Sequence, residues 1–381
     1  MSGQLARHLR SRLPGSARRF LHGSQDREGP PAFVFDIDGV LVKGKQILEP
    51  AKKALGLLYE NKDRPLYPTV FMTNGGGVTE AEKAEHLSEW LNISVHSDQV
   101  VLSHTPYRKL VKHLGDKPVL ISGRGNFHHV AREYGFTQCV STTQLARALP
   151  DALPLSQQEP DDHEEGPCPV HDLGLGSEEK PFKAALLFND PGDWYRDLQL
   201  FTDIALSGGV IGRERAPEGS KPVEVSFSHK DLLYATSFPT ARFGMGAFAI
   251  ALETLYQKVS GQPLPCKYYG KPMPDQYRMV EAVLVQQAQH MGLELPQQSG
   301  IGTEALPFST IYMIGDNPAS DIRGARNAGL PWASILVKTG VFCGPGDNSE
   351  ADPADIVVDH VADAVEAALH RYRHTRWHSM R

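Results

Sequence analysis

From residue 32 onward the chain alternates short unbroken apolar runs with longer stretches in which apolar residues recur every three or four positions. AFVFDI (32–37) reads as a central parallel strand covered on both faces. Pro50 then stands in the first turn of a stretch where Ala51, Ala54, Leu55 and Leu58 follow i, i+3, i+4, i+7 spacing, which predicts a helix. PTVFMTN (68–74) predicts a second strand that stops at three glycines, 75–77. Thr79 and Glu82 form a T-x-x-E capping box, in which each side chain satisfies an N–H of the first turn, so TEAEKAEHLSEWL opens as a helix. Strand, loop and helix in repetition predict an α/β fold built on a doubly wound parallel sheet.

The pattern changes in the middle. KPVLISGRGNFHHVAREYGF reads as strand, glycine turn and helix, AALLFN (184–189) as a strand, and WYRDLQLFTDIALSGG as a helix ending at glycine. Between them, residues 150–181 are rich in proline, acid and glycine without apolar period, and are expected to form a flexible surface insert. The helix 274–292, with its stripe at 277, 280, 284, 288 and 291, restores the first pattern. TIYMIGD (310–316), WASILVKTG (332–340) and DIVVDHVADAVEAAL (355–369) complete it with strands and a closing helix. The expected organisation is a core from 32–115 and 245–370, interrupted by a second α/β unit at 116–244. No internal repeat is evident.

Composition narrows the function classes. The 381 residues carry a net charge of −6 and only 8% aromatics, with no basic stripe, which argues against nucleic-acid binding. The four cysteines (139, 168, 266, 343) form no C-x-x-C pair, so neither a zinc knuckle nor a disulfide framework is expected. No apolar run approaches the roughly 18 residues of a membrane span. Residues 1–25 differ from the rest. Arginines at 7, 10, 12, 18 and 19, leucines at 5, 9 and 13, and no acid before Asp26 are the composition of a mitochondrial transit peptide.

Chemistry gathers at the strand ends, where open α/β sheets bind ligands. Asp36 and Asp38 lie two positions apart on extended backbone and face the same way, so they repel unless a cation shares them. A hard, oxygen-seeking ion such as Mg²⁺ fits. A D-x-D-G turn at a strand end is the alternative for this motif alone. Thr73 and Asn74, followed by GGG, offer neutral donors and close backbone suited to phosphate oxygens. Lys271, fixed between Gly270 and Pro272, can neutralise a transferring anion. Asp316 ends another strand, and Asp321 follows near a helix start, where aspartates also serve as caps. Weaker candidates are the G-x-G of SGRGNF, the loop residues His163, Cys168 and His171, and Lys338 with Thr339 at a strand end, which reads as packing.

Taken together and in this order, DIDGV, TN, GKP and GDNPASD resemble the four motifs of the haloacid dehalogenase superfamily of phosphohydrolases. The place of the second unit, between the second and third motifs, resembles the large α/β cap of subclass IIA. The resemblance covers about 32–370, departing from the family in TNGGG and in the acidic insert. It implies that Asp36 is a nucleophile forming an aspartyl-phosphate and Asp38 the acid and then base. It further implies Mg²⁺ held by Asp36, the Asp38 carbonyl and Asp316, oriented by Asp321, with Thr73, Lys271 and Asn74 holding phosphoryl oxygens. Asp38 separates phosphoryl transfer from dehalogenation, because expelling halide needs no acid two residues after the nucleophile. The expected activity is hydrolysis of a small phosphorylated metabolite in mitochondria. The alternatives are a catalytically weak or silent scaffold using the acidic insert, and a phosphatase of a lipid phosphate.

Overall fold

The computed structural model describes residues 27–44, 46–155, 169–295, 306–342 and 347–379. The expected leader at 1–25, residues 156–168 of the acidic insert with His163 and Cys168, Cys343 and the side chain of His171 lie outside the described residues. The strands of the two main sheets are β1 Pro31–Phe35, β2 Thr69–Met72, β3 Val100–Val101, β4 Val119–Ser122, β5 Cys139–Ser141 and β6 Ala184–Leu187. They continue with β7 Glu224–Phe227, β8 Cys266–Tyr268, β9 Thr310–Gly315, β10 Trp332–Val337 and β11 Ile356–Val358.

The first sheet is parallel throughout, in the order β11-β10-β9-β1-β2-β3. Alternate residues of β1 feed two cores, as a pleated strand requires. Phe33 and Phe35 pack with Phe71, Tyr312 and Ile314 beneath the helices Glu49–Gly56 and Val361–Ser379. Ala32 and Val34 face the other way, onto Tyr277, Val280 and Leu284 of the helix Pro274–His290. The capping box forms as expected: Glu82 N–H donates to Thr79 Oγ1 at 3.1 Å, and Thr79 N–H to Glu82 Oε2 at 2.7 Å. No helix among the described residues is long and apolar enough to cross a membrane.

The second sheet is also parallel, in the order β8-β7-β6-β4-β5. It corrects the expected boundary at 244. The helix Met245–Ser260 buries Met245, Phe248, Ala249 and Leu252 against Leu187, Phe201 and Phe227 of the second core. Strand β8 then pairs with β7, Val225 opposite Cys266. The second unit therefore runs to Tyr268, and the chain returns to the first sheet through Gly270 and Lys271. Apolar helical spacing shows that a face is buried but not which sheet buries it. The insert is corrected in part: short turns at Pro150–Ala152 and Val170–Leu173 place Leu153, Val170 and Leu175 in the second core.

Candidate active site

The chain steps from β1 outward to β2 and β3, then returns on the other side of β1 as β9, so strand order reverses between β1 and β9. That is the switch point at which doubly wound sheets open a crevice. Register aligns the chemistry there. Phe35 pairs with Ile314 on one side and Phe71 on the other, so Asp36, Asp316 and Thr73 leave the sheet edge close together. The Asp36 N–H donates to the Ile314 carbonyl at 2.9 Å.

One carboxylate oxygen from each of Asp36, Asp316 and Asp321 falls within 4.8 Å of the others. All three side chains are buried. Lys271, itself only 2% exposed, places its Nζ 2.6 Å from Asp36 Oδ1 and 2.7 Å from Asp321 Oδ1. Burial disfavours the ammonium, but Asp321 and Asp36 more than reverse this and raise the Lys271 pKa. Burial pushes all three carboxylates up: Asp36 despite Lys271, Asp321 to about 6, and Asp316 well above its usual range with Asp36 and Asp321 adding repulsion. Three buried acids sharing one ammonium leave negative charge uncompensated, and their all-oxygen donor set suits a hard divalent cation such as Mg²⁺.

Backbone holds Asp316 close. Its Oδ2 accepts the Val341 N–H at 2.6 Å. A Cβ at Gly340 or at Gly39 (φ 86°) would overlap that carboxylate, so both positions need glycine. Asp321 sits in a π-helical turn, Pro318–Ile322; its Oδ2 accepts the Asn317 N–H at 3.0 Å. Both Asp321 oxygens are thus engaged by protein donors. Asp38 is outside the three-acid cluster. It lines the same cleft across from the loop after β2, with Oδ2 3.4 Å from where a Gly75 Cβ would lie.

Thr73 and Asn74 differ in what they do. Thr73 Oγ1 accepts the Gly75 N–H at 2.9 Å, leaving its own O–H to donate. Asn74 is committed to protein: Oδ1 accepts the Lys271 N–H at 2.8 Å, and Nδ2 donates to the Lys271 carbonyl at 3.0 Å and to Asp231 Oδ2 at 2.8 Å. This amide clamps the lysine backbone, and its expected contact with phosphoryl oxygen is not its observed use.

The cleft is lined by residues of both sheets. Asp190 follows β6, and His229 and Asp231 follow β7, beside Leu233, Tyr234 and Ala235. Sequence reasoning missed these three polar residues, although FND and FSHKD end strands just as FDID does. Lys338 and Thr339 do not line the cleft; Thr339 Oγ1 donates to the Gly39 carbonyl, which is strand-end packing.

Comparison with known proteins agrees with this arrangement. Residues 33–137 match the family model described as haloacid dehalogenase-like hydrolase, and 268–364 match one described as HAD-hydrolase-like. A mitochondrial hydrolase of Saccharomyces cerevisiae is 37% identical over 350 residues, covering 90% of this chain and 96% of that one. A cardiolipin synthase (CMP-forming) / mitochondrial hydrolase fusion protein of Schizosaccharomyces pombe is 32% identical over 376 residues, or 96% of this chain and 58% of the fusion. The solved structure of a possible sugar phosphatase from Cytophaga hutchinsonii shares the fold, with a TM-score of 0.55 at 15% identity over 90% of this chain and 97% of that one. The strand-end acids, the lysine that pairs with them and these similarities have one common explanation: the chain belongs to the haloacid dehalogenase-like hydrolases.

Proposed function

We propose that this hydrolase is a Mg²⁺-dependent phosphatase of a small phosphorylated metabolite, working through an aspartyl-phosphate. The observation that carries the reading is the contact of Lys271 with Asp36 inside a cluster of three buried acids. Asp36, the Asp38 carbonyl and Asp316 would hold the ion, with Asp321 orienting the set; bound there, it would offset negative charge on the phosphoryl group. A carboxylate oxygen of Asp36 attacks phosphorus, and the bond to the ester oxygen breaks. Asp38 gives its proton to the leaving oxygen. Water then attacks the phosphorus of the acyl phosphate, Asp38 takes its proton, and orthophosphate leaves with the Asp36 carboxylate restored. Lys271 and the Thr73 hydroxyl stabilise oxygens on which charge builds, and the second sheet acts as a cap that shuts out water.

Mitochondrial residence follows from the Arg-rich, acid-free leader and from the names of both fungal relatives. The test is phosphate release from a panel of phosphate esters with the leader removed. Wild type is expected to turn over with Mg²⁺ and stop with EDTA, and Asp36→Asn to be inactive with no hydroxylamine-labile phosphoenzyme. Equal slow hydrolysis by both proteins sinks the reading. A second reading, a lipid phosphate, has one specific support: the Schizosaccharomyces relative is fused to a phospholipid-synthesising enzyme.

A further inference from the structure

The part of the cleft wall that follows the strands of the second sheet holds polar groups that the proposed chemistry does not use. His229 is 4% exposed, lines the cleft, and its Nε2 has no hydrogen-bond partner. Asp190 Oδ1 is likewise buried without a partner. His229 Nε2 stands 3.8 Å from Asp190 Oδ2, too far for a direct hydrogen bond. A single oxygen or nitrogen placed about 2.8 Å from each would complete the bridge, accepting from the ring or donating to the carboxylate. On the other side of the ring, Nδ1 accepts the Asp231 N–H at 3.3 Å and lies 3.9 Å from Asp231 Oδ2. With Nδ1 used in this way, a proton on Nε2 points the ring's donor away from Asp231.

Charge narrows what can sit there. Among the described residues that line the cleft, Lys271 is the only lysine or arginine, and it is already paired with Asp36 and Asp321. Arg124 reaches Asp190 Oδ2 at 3.6 Å but is half exposed and does not line the cleft. His229 is not a free cation either: its Nδ1 accepts the Asp231 N–H, and although burial opposes charge on the ring, Asp190 and Asp231 outweigh it and raise its pKa, so any proton it gains is offset by these two acids. No cation is left over for a second anion, whereas carboxylate acceptors are in surplus. Leu233, Tyr234 and Ala235 supply apolar contact next to them.

We propose that His229, Asp190 and Asp231 form the leaving-group subsite, and that it takes an alcohol bearing a hydroxyl or ammonium donor and no second negative charge. This rests on the phosphatase reading above and deepens it by naming the substrate class. An anionic leaving group meets like charge at Asp190 and Asp231 without a free partner. A hydroxyl group bridges His229 and Asp190, accepting from the ring and donating to the carboxylate, and an ammonium group caps Asp190.

Two esters on one carbon skeleton test it: glycerol 3-phosphate, and 3-phosphoglycerate, in which a carboxylate replaces the terminal hydroxymethyl group. Phosphoethanolamine serves as a third arm, separating ammonium from hydroxyl. Wild type is expected to favour glycerol 3-phosphate or phosphoethanolamine over 3-phosphoglycerate by about tenfold or more in kcat/KM, since like-charge contacts cost several kcal/mol. Asp190→Asn is expected to shrink that preference severalfold, and so is His229→Leu, which removes the ring donor of the bridge. Each value is a ratio within one preparation, so a partly unfolded variant leaves it unchanged. A wild-type preference for 3-phosphoglycerate, or a ratio unmoved by both variants, overturns the subsite. If wild type hydrolyses neither these esters nor acetyl phosphate, the phosphatase reading itself falls, and the inference with it.

Discussion

The ammonium of Lys271 lies 2.6 Å from the Asp36 carboxylate although 235 residues separate them in sequence. The lysine enters on the return from the second sheet, just past β8, and the aspartate ends the central strand of the first. The contact therefore forms only when both sheets are in place.

Lys271→Met leaves three buried acids with no ammonium. Breaking a buried pair typically costs about 3–5 kcal/mol, and losing a cation that stabilises developing charge costs about 10²–10³ in kcat. Thermal unfolding is expected to show a lowered Tm that added Mg²⁺ restores in part, because the ion supplies some of the missing positive charge. An unchanged Tm without metal would show that the pair does not neutralise the cluster.

Asn74→Ala removes three hydrogen bonds at once: two to the Lys271 backbone and one to Asp231. Each buried group left unpaired costs about 1–3 kcal/mol, and Lys271 loses its fixed position. The expected result is a fall in kcat with a smaller change in KM, accompanied by lower stability. If Asn74 bound phosphate directly instead, KM for substrate and Ki for orthophosphate would rise first.

Gly340→Ala tests the placement of Asp316. The new methyl group would occupy the space of that carboxylate, in a backbone conformation alanine can otherwise adopt. Asp316 must shift, so the Mg²⁺ concentration for half-maximal activity is expected to rise by at least about tenfold, given how sharply sub-ångström misplacement acts at such sites. Titrating activity against Mg²⁺ measures it directly.

His104 provides a pH dependence with a definite sign. It is fully buried, with Nδ1 2.8 Å from the Tyr134 hydroxyl and Nε2 without a partner. Burial lowers its pKa to about 4 from 6.5, Arg108 adding to the effect and Glu80 opposing it. The unfolded chain thus binds a proton between these values that the folded chain does not, so His104 withdraws stability as pH falls from about 6.5 to about 4. Urea unfolding at pH 7 and pH 5 is expected to show a smaller acid loss in His104→Gln than in wild type. His128, lowered to about 4 by burial, acts in the same direction in both proteins and cancels in the comparison.

Much of this was legible in residue order. Parallel strands announce themselves because both faces are covered, so AFVF, TVFM, TIYMIG and WASILV are unbroken apolar runs. Strand ends with acids could be paired in thought as soon as the sheet was recognised as doubly wound. Short or half-polar strands such as β8 (CKY) and β3 (VV) carry too little pattern to be seen. The helix Met245–Ser260 has an apolar face, but nothing along the chain assigns that face to the second core.

By itself, then, the sequence determined the alternation of strands and helices, the family motifs and the identity of the acids and lysine at the site, because local propensity and strand-end position are one-dimensional properties. Tertiary structure alone decided which of them touch. Register set Asp36 beside Asp316; the route back from the second sheet delivered Lys271 to both Asp36 and Asp321; the facing edge of that sheet added Asp190, His229 and Asp231. Charge cancellation and open hydrogen-bond valence depend on distances across the fold, and no spacing along the chain encodes them.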